Sequence, residues 1–185
     1  RLSTALHSNM VHVGAVFIDR FEYPNREGMR PATKVDYDDA VAYAAWLRDS
    51  GRVPRARLCE EYEWERAARG ADGRRFPHGD RMSPDDANVD VTYDRQADRF
   101  GPDEVGAHPS SESPFGVHDL AGNVKEWTVA SDGGPRLRGG DYYHSTDAAL
   151  AMNRDPAEPT MRLPWIGVRI CADPPPTRES LSPGP

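Results

Sequence analysis

The sequence predicts a loop-rich α+β domain with two main helices and several short strands. The 16 glycines and 17 prolines among its 185 residues favour short elements joined by irregular loops over a helical bundle. Apolar residues recur at helical spacing in two segments, whereas the strand-like segments are only a few residues long. A chain of this length is ordinary for a single domain and can bury a core.

The first two elements are predicted from residue spacing and from end signals. Apolar residues alternate weakly with other residues across residues 11–18, as in a half-buried strand. A helix is predicted over residues 40–47, because acidic residues 36–39 stand at its first turn and Gly51 follows its end. The residues expected on its apolar face are Val41, Ala44, Ala45 and Trp46.

A second helix is predicted over residues 60–68, and Gly70 is its stop signal. The residues available to pack are Tyr62, Trp64 and Ala67, and the charged residues Glu61, Glu65, Arg66 and Arg69 are expected on a solvated face. Residues 70–113 then lack periodicity and are rich in Asp, Gly, Pro and Asn. A loop of this length in a compact domain needs a bound metal or a function to order it.

The remaining strand-like segments are residues 126–129, 137–138, 142–143 and 166–170. The domain is placed at residues 11–173. Residues 1–10 are interpreted as a leader or a truncated start, and residues 174–185 as a proline-rich tail without regular structure.

Charge and hydropathy exclude two classes of partner. The formal net charge of −7 argues against nucleic-acid binding, which needs a basic face. No apolar run approaches the roughly 20 residues of a membrane-spanning helix. Acidic charge fits cation binding and plain solubility equally well.

The chain has two cysteines, Cys59 and Cys171, which lie far apart in the sequence. They form neither a CxxC metal motif nor a disulfide-rich scaffold. From the residues alone, a disulfide and two buried free thiols are equally good interpretations.

Six segments form an ordered series of motifs: 18–25 (IDRFEYPN), 35–40 (VDYDDA), 57–70 (RLCEEYEWERAARG), 115–128 (FGVHDLAGNVKEWT), 137–140 (LRGG) and 166–169 (IGVR). Together they resemble the formylglycine-generating-enzyme, or sulfatase-modifying-factor, family over residues 12–173. Each motif alone is a weak signal, whereas six in the same order are a strong one. The resemblance implies the fold of that family, which is related to C-type lectins and is usually ordered by calcium.

The chain departs from the family pattern at the copper-binding cysteines. Active members of the family bind copper(I) through two cysteines after the "GGS" strand, because soft thiolates select copper(I). Here residues 139–149 read GGDYYHSTDAA, so that His144 and Ala149 stand at the two cysteine positions. Copper-dependent formylglycine formation is therefore not expected. His144 alone is a poor metal site and is read as a surface residue.

The calcium motifs of the family are matched better. By resemblance, Asp119 and Glu126 would supply side-chain oxygens, and Gly122 and Val124 would supply backbone carbonyls. Calcium prefers such a mixture of six to eight oxygen ligands. The alternative is that Asp119 and Glu126 are ordinary turn and surface acids.

A second calcium site of the family uses an Asn side chain, the next carbonyl, an Asp and a carbonyl two residues later. The matching residues are Asn88, Val89, Asp98 and Phe100, and either Asp94 or Asp103 could replace Asp98. Some family members also carry cysteines at the positions of Cys59 and Cys171, in segments that neighbour each other. The resemblance thus implies a disulfide and, with it, an extracytoplasmic, oxidising compartment.

Three functions are considered. The first is a calcium-stabilised, non-catalytic binding module with a protein partner or a fused domain. Its ligand surface would come from Tyr142, Tyr143, His144, Met152, Asn153, Arg154, Met161 and Trp165, unless Trp165 packs in the core. The second is an oxidative or tailoring enzyme on the same scaffold, with Asp141, His144, Asp147 and Asp155 as candidates. The third is an interaction domain cleaved from a larger polypeptide.

Overall fold

The computed structural model describes residues 9–176 of the chain. Within that range it forms two α-helices, eight short strands and three 3₁₀ turns. The strands are β1 Met10–Val13, β2 Val16–Asp19, β3 Ala56–Leu58, β4 Lys125–Val129, β5 Pro135–Arg138, β6 Asp155–Pro156, β7 Ile166–Gly167 and β8 Ile170–Ala172. The helices are α1 Tyr37–Asp49 and α2 Glu61–Arg69.

The first sheet is antiparallel, with strand order β1-β2-β8-β3. The predicted single strand over residues 11–18 is wrong in one respect, because the chain turns at residues 14 and 15 and pairs Val13 with Val16. The segment is therefore a hairpin. No strand was predicted at β3, which has only three residues and is held by its pairing with β8.

The second sheet has the order β6-β5-β4-β7, with β4 and β7 parallel and the other pairs antiparallel. The predicted strands at 126–129 and 137–138 are confirmed. The segment 166–170 instead breaks into β7 and β8, which belong to different sheets. Residues 142 and 143 are not a strand, because Gly139 and Gly140 both take positive φ angles and the chain turns there.

Helix α1 begins one turn earlier than predicted because the Asp36 carboxylate accepts the backbone N–H of Asp39 at 2.8 Å and caps it. Its buried residues are Ala40, Ala44 and Leu47. The expectation that Val41 and Trp46 pack inward is wrong, since they are 44% and 50% exposed. Only Ala44 was common to the predicted and observed core face.

Helix α2 was placed correctly to within one residue at each end. Trp64 and Ala67 are fully buried, as expected, whereas Tyr62 is 60% exposed. The acid Glu61 was expected on a solvated face but is buried, because its carboxylate accepts Arg154 Nη2 at 2.5 Å. Charge pairing across the domain thus overrides the local pattern.

A disulfide joins Cys59, which follows β3, to Cys171 in β8, with an S–S distance of 2.10 Å. It confirms the pairing that the family resemblance implied. Residues 70–113 contain only the 3₁₀ turns Pro84–Asp86 and Pro109–Ser111, so the predicted long loop is confirmed.

The predicted start at residues 1–10 and the tail at 174–185 lie mostly outside the described residues. Across residues 9–176, none of the helices combines the length and the apolar character needed to cross a membrane.

Candidate functional site

The loop between Asp119 and Glu126 is shaped by backbone conformations that favour glycine and asparagine. Asp119, Gly122 and Asn123 all take positive φ angles of 58°, 78° and 61°. A Cβ atom on Gly122 would lie 2.3 Å from the carbonyl oxygen of Asn88, so only glycine fits there. The loop therefore packs tightly against the segment that begins at Asn88, and one loop carries the whole first set of predicted calcium ligands.

Glu126 is buried at 1% exposure and faces Arg169, which is completely buried. Its Oε1 accepts Arg169 Nη2 at 2.7 Å and Nε at 2.9 Å. Its Oε2 accepts Trp64 Nε1 at 2.5 Å and Arg169 Nε at 3.0 Å. Both carboxylate oxygens are thus engaged by protein donors, and the KEWT and IGVR segments are joined by a buried ion pair.

Three more carboxyl groups are buried around this pair. Burial raises the pKa of Asp19 to about 7, against the hydrogen bond from the Ile170 N–H. Burial also raises the pKa of Glu22, and the charges of Asp119 and Glu126 raise it further. Burial raises the pKa of Asp119 as well. Among the residues that approach them, Arg169 is the principal counter-charge.

Buried carboxyl groups that outnumber the buried cations fit a divalent cation, and oxygen donors are the type calcium prefers. Asp119 Oδ2 accepts the Gly106 N–H at 2.7 Å and can still share its other oxygen. Glu126 fits less well, because a metal would have to compete with Arg169 and Trp64 for its oxygens. Within residues 9–176, no three His, Cys, Asp or Glu side chains converge as a metal centre made of side chains alone would require.

The second predicted calcium set begins beside the first. Asn88 is buried, its Nδ2 donates to the Gly101 carbonyl at 2.9 Å, and its own carbonyl accepts the Asn123 N–H at 2.8 Å. Val89 is buried next to it. Asp98 and Phe100 are exposed and line a cavity of about 330 Å³ with Arg30, Tyr93, Arg99, Gly101, Pro102 and Asp103. The structure thus brings Asn88 to residues 98–101 but leaves the Asp98 carboxylate at the surface.

Asp103, the suggested substitute for Asp98, is already bonded. Its Oδ2 accepts the Tyr93 hydroxyl at 2.8 Å and lies 3.0 Å from His108 Nε2. Its backbone N–H donates to Asn123 Oδ1 at 2.8 Å. Asp103 therefore ties the long loop to the 119–126 loop.

A cluster of aromatic rings includes His144, which stands at one of the two cysteine positions of active family members. We call Phe100, Tyr143, His144 and Trp165 the ring cluster. Tyr143 stacks on Trp165 with ring centroids 4.7 Å apart and an interplanar angle of 12°. Phe100 and His144 meet Tyr143 edge-on at 5.6 Å and 5.3 Å. Tyr143 is 48% exposed and Phe100 is 38% exposed, so the cluster presents apolar surface to solvent.

Other residues predicted for this surface are placed differently. Tyr142 is 7% exposed, so the prediction that it belongs to the exposed surface is wrong: its ring packs edge-on against Phe100 beneath the cluster. Arg154 is exposed but pairs with Glu61 of α2. Trp165 is partly buried and packs on the core with one part of its ring, which agrees with both interpretations given above.

His144 has a partner that sequence reasoning missed. The Asp141 carboxylate is fully buried and lies 2.7 Å from His144 Nδ1. It also accepts the backbone N–H groups of Tyr143 at 2.8 Å and His144 at 3.1 Å. Burial raises the pKa of Asp141, against the charges of His144 and Lys125. The i to i+3 spacing of an Asp and a His in a turn-rich segment was the available signal.

The remaining acids at this end are placed as follows. Asp155 pairs with Lys125 at 2.6 Å, and Lys125 Nζ also lies 3.8 Å from Asp141. Asp147 is exposed. Asp90 is buried, donates its backbone N–H to the His144 carbonyl at 3.1 Å and pairs with Arg95. Its Oδ1 is buried without a hydrogen-bond partner among the described residues.

The two positions of the missing cysteines differ in exposure. His144 is 39% exposed at its side chain, whereas Ala149 is fully buried. A Cβ atom on Gly140 would lie 2.7 Å from the Ala149 Cα, so the two backbones are in close contact there. Since both cysteines of the chain are in the disulfide, no thiol faces the ring cluster.

Comparisons with known proteins agree with these motifs. A family model described as a sulfatase-modifying factor enzyme 1-like domain matches residues 8–174. Inactive C-alpha-formylglycine-generating enzyme 2 of Bos taurus is 36% identical over 130 residues, which cover 64% of this chain and 40% of that protein. Hercynine oxygenase of Mycolicibacterium thermoresistibile is 32% identical over 184 residues, covering 84% of this chain and 38% of that protein.

The chain thus spans well under half the length of these two relatives. Among solved structures, Treponema denticola variable protein 1 superposes with a TM-score of 0.71 at 18% identity, covering 89% of this chain and 86% of that chain. At this identity the likeness shows the fold alone. It agrees with the lectin-related fold that the motifs implied.

Proposed function

The chain belongs to the sulfatase-modifying factor enzyme 1-like family, and we propose that it is a calcium-stabilised, non-catalytic binding module of that family. The ring cluster is its recognition surface, and a protein partner or a fused domain is the molecule recognised. The observation that carries the proposal is the exposed ring cluster, which includes His144 at one of the two copper-cysteine positions. Exposed aromatic residues in a group are typical of interface hot spots.

The absence of a thiol at the ring cluster supports a non-catalytic role. Copper(I) needs soft ligands, whereas this position offers an imidazole and a buried alanine. A family relative whose name calls it inactive is 36% identical to the chain. The disulfide supports an oxidising compartment outside the cytoplasm.

The calcium proposal rests on buried charge. Asp119, with the carbonyls of Gly122 and Val124, would hold an ion against Glu22 and Glu126, whose charges are otherwise balanced chiefly by Arg169. Asn88, Val89, Asp98 and Phe100 would hold a second ion, which requires the exposed Asp98 to turn inward. Calcium would supply charge neutralisation and cross-link the loops.

Metal analysis tests the calcium proposal. We expect calcium in the purified protein and a lower melting temperature after chelation, because a ligand at 100 times its Kd stabilises the fold by about 2.7 kcal/mol. Asp119→Ala should remove this chelator effect, whereas the exposed Asp147→Ala should retain it. A melting temperature that changes neither with added calcium nor with chelator would refute the calcium proposal.

Cross-linking in the native host, followed by identification of the captured protein, tests the recognition surface. We expect one partner to be captured by the wild type and lost with Tyr143→Ala. The matched control is Tyr62→Ala, which removes an even more exposed tyrosine from α2. Equal capture by both variants would place recognition elsewhere.

The second candidate is an oxidative or tailoring enzyme. The Asp141–His144 pair favours it, because a buried carboxylate behind an exposed imidazole is the usual arrangement of a general base. The similarity to a protein named hercynine oxygenase is compatible with this candidate. Copper or iron bound at about one ion per chain, with oxygen uptake, would establish it over the binding module.

A further inference from the structure

The Asp141–His144 pair fixes which nitrogen of the imidazole carries a proton. The Asp141 carboxylate faces His144 Nδ1 with both oxygens, at 2.8 Å and 2.7 Å. A carboxylate can only accept hydrogen bonds, so Nδ1 must carry the hydrogen in this contact. In the neutral imidazole the other nitrogen, Nε2, then has a lone pair and acts as an acceptor.

The acceptor at Nε2 is open. No hydrogen bond from residues 9–176 reaches His144 Nε2, and the side chain is 39% exposed. The carboxylate behind it cannot move away easily, because the backbone N–H groups of Tyr143 and His144 also bind Asp141. The pair is therefore a preorganised acceptor rather than a flexible surface histidine.

A second unsatisfied acceptor is buried behind His144, whose carbonyl oxygen accepts the backbone N–H of Asp90 at 3.1 Å. Asp90 is buried, and its Oδ1 lacks a hydrogen-bond partner, which is costly unless a ligand or water supplies one. Asp90 Oδ2 pairs with Arg95, which lines a cavity of about 300 Å³ together with Phe100 and Tyr143. The nearby cations Arg95 and Lys125 are paired with Asp90 and Asp155. Around the ring cluster the neighbouring cations are thus paired, whereas His144 Nε2 accepts no hydrogen bond from the described residues.

We infer that Asp141 holds His144 as the Nδ1–H tautomer, and that the ring cluster takes a ligand with a hydroxyl or N–H donor on a flat apolar ring. The ring of the ligand packs on Tyr143 and Phe100, and its donor binds His144 Nε2. This inference rests on the proposed function, since it takes the ring cluster as the recognition surface.

The tautomer is tested first, on the ligand-free protein, by ¹⁵N NMR of the histidine rings at pH 8. We expect the wild-type His144 to show the Nδ1–H tautomer. Asp141→Asn should convert it to the Nε2–H tautomer, because the amide N–H₂ then donates to Nδ1. Asp147→Asn, on the same loop, is the control and should leave the ring shifts unchanged. A wild-type Nε2–H tautomer would overturn the inference.

The ligand class is tested with phenol and anisole as probes, since they share a ring but only phenol donates. Binding is followed at the ring resonances of Tyr143 and Trp165, which are present in every variant, and we expect phenol to bind at least about tenfold more tightly than anisole, because the open acceptor is satisfied only by phenol. His144→Phe keeps a ring without the acceptor and should reduce the preference to about twofold or less. Because the His144 side chain is partly exposed, His144→Phe should fold and still tests the ligand class if Asp141→Asn fails to fold.

Equal binding of the two probes by the wild type would overturn the donor requirement. It would leave the proposed function standing, provided that Tyr143→Ala still abolishes capture of the partner. Conversely, a correct tautomer and probe preference with unchanged capture by Tyr143→Ala would locate a small-molecule site and refute the protein-recognition surface.

Discussion

Two carboxylate pairs, one in the interior and one at the ring cluster, differ in how fully their polar atoms are hydrogen-bonded within the protein. In the interior, Arg169 donates to Glu126 and to the carbonyl oxygens of Asp19 and His118, and both residues are buried. At the ring cluster, Asp141 is equally buried, but His144 keeps Nε2 open to solvent. The comparison teaches that the Glu126–Arg169 pair has its polar atoms bonded within the protein, whereas the Asp141–His144 pair leaves one acceptor for a ligand.

The largest effect is expected from breaking the interior pair with Arg169→Met. It leaves Glu126 buried without its counter-ion, and removal of one partner of a buried pair costs about 3–5 kcal/mol of unfolding free energy. The control is Arg162→Met, which removes the exposed partner of Asp36 and Asp39 and should cost about 1 kcal/mol or less. Urea unfolding of both variants measures the difference.

If Arg169→Met does not fold, the double variant with Glu126→Gln decides the matter. It removes both charges, so it should recover part of the lost stability. Equal urea midpoints for the Arg169 and Arg162 variants would show that the interior pair is no more important than a surface pair.

The sequence predicted the scaffold better than the site. Trp64, the disulfide cysteines and the motif around Glu126 were identified because they belong to ordered family motifs. The faces of α1 were not, because Val41 and Trp46 have helical spacing but lie 44% and 50% exposed. Hydrophobic periodicity predicts a helix, but it does not predict which face of the helix packs on the core when small alanine side chains form that face.

The candidate site depends on contacts that spacing does not reveal. The partner of His144 is three residues away, in a turn set by Gly139 and Gly140. Phe100 reaches the same rings from the long loop, which has no periodicity. Glu126 was predicted as a calcium ligand, but its engagement by Arg169 arises from the parallel pairing of β4 with β7, since Arg169 lies two residues after β7.

An intermediate effect is expected from pH, through Asp19 in the interior. Burial raises its pKa from 3.8 to about 7 in the folded protein. A carboxyl group with a raised folded pKa stabilises the fold fully below its unfolded pKa, and this contribution is lost as pH rises through about 7. We therefore expect about 2–3 kcal/mol less stability at pH 8 than at pH 5, measured by urea unfolding in chelator.

Asp19→Asn should flatten this pH dependence, because the amide does not ionise. Glu22 and Asp119 have pKa values shifted in the same direction and should leave a residual slope. The exposed Asp132→Asn is the matched control and should keep the wild-type slope. Stability that increases from pH 5 to pH 8 would contradict a buried, proton-binding interior.

The smallest effect on stability is expected at the ring cluster, from Tyr143→Ala. The side chain is 48% exposed and its main contact is the stacked ring of Trp165, so the loss should be about 1 kcal/mol or less. The same variant is expected to abolish partner capture, whereas Arg169→Met should reduce capture only in proportion to the fraction unfolded. A loss of several kcal/mol in unfolding free energy would make Tyr143 a packing residue. The contrast between a fully bonded interior pair and an exposed ring cluster would then not hold at Tyr143.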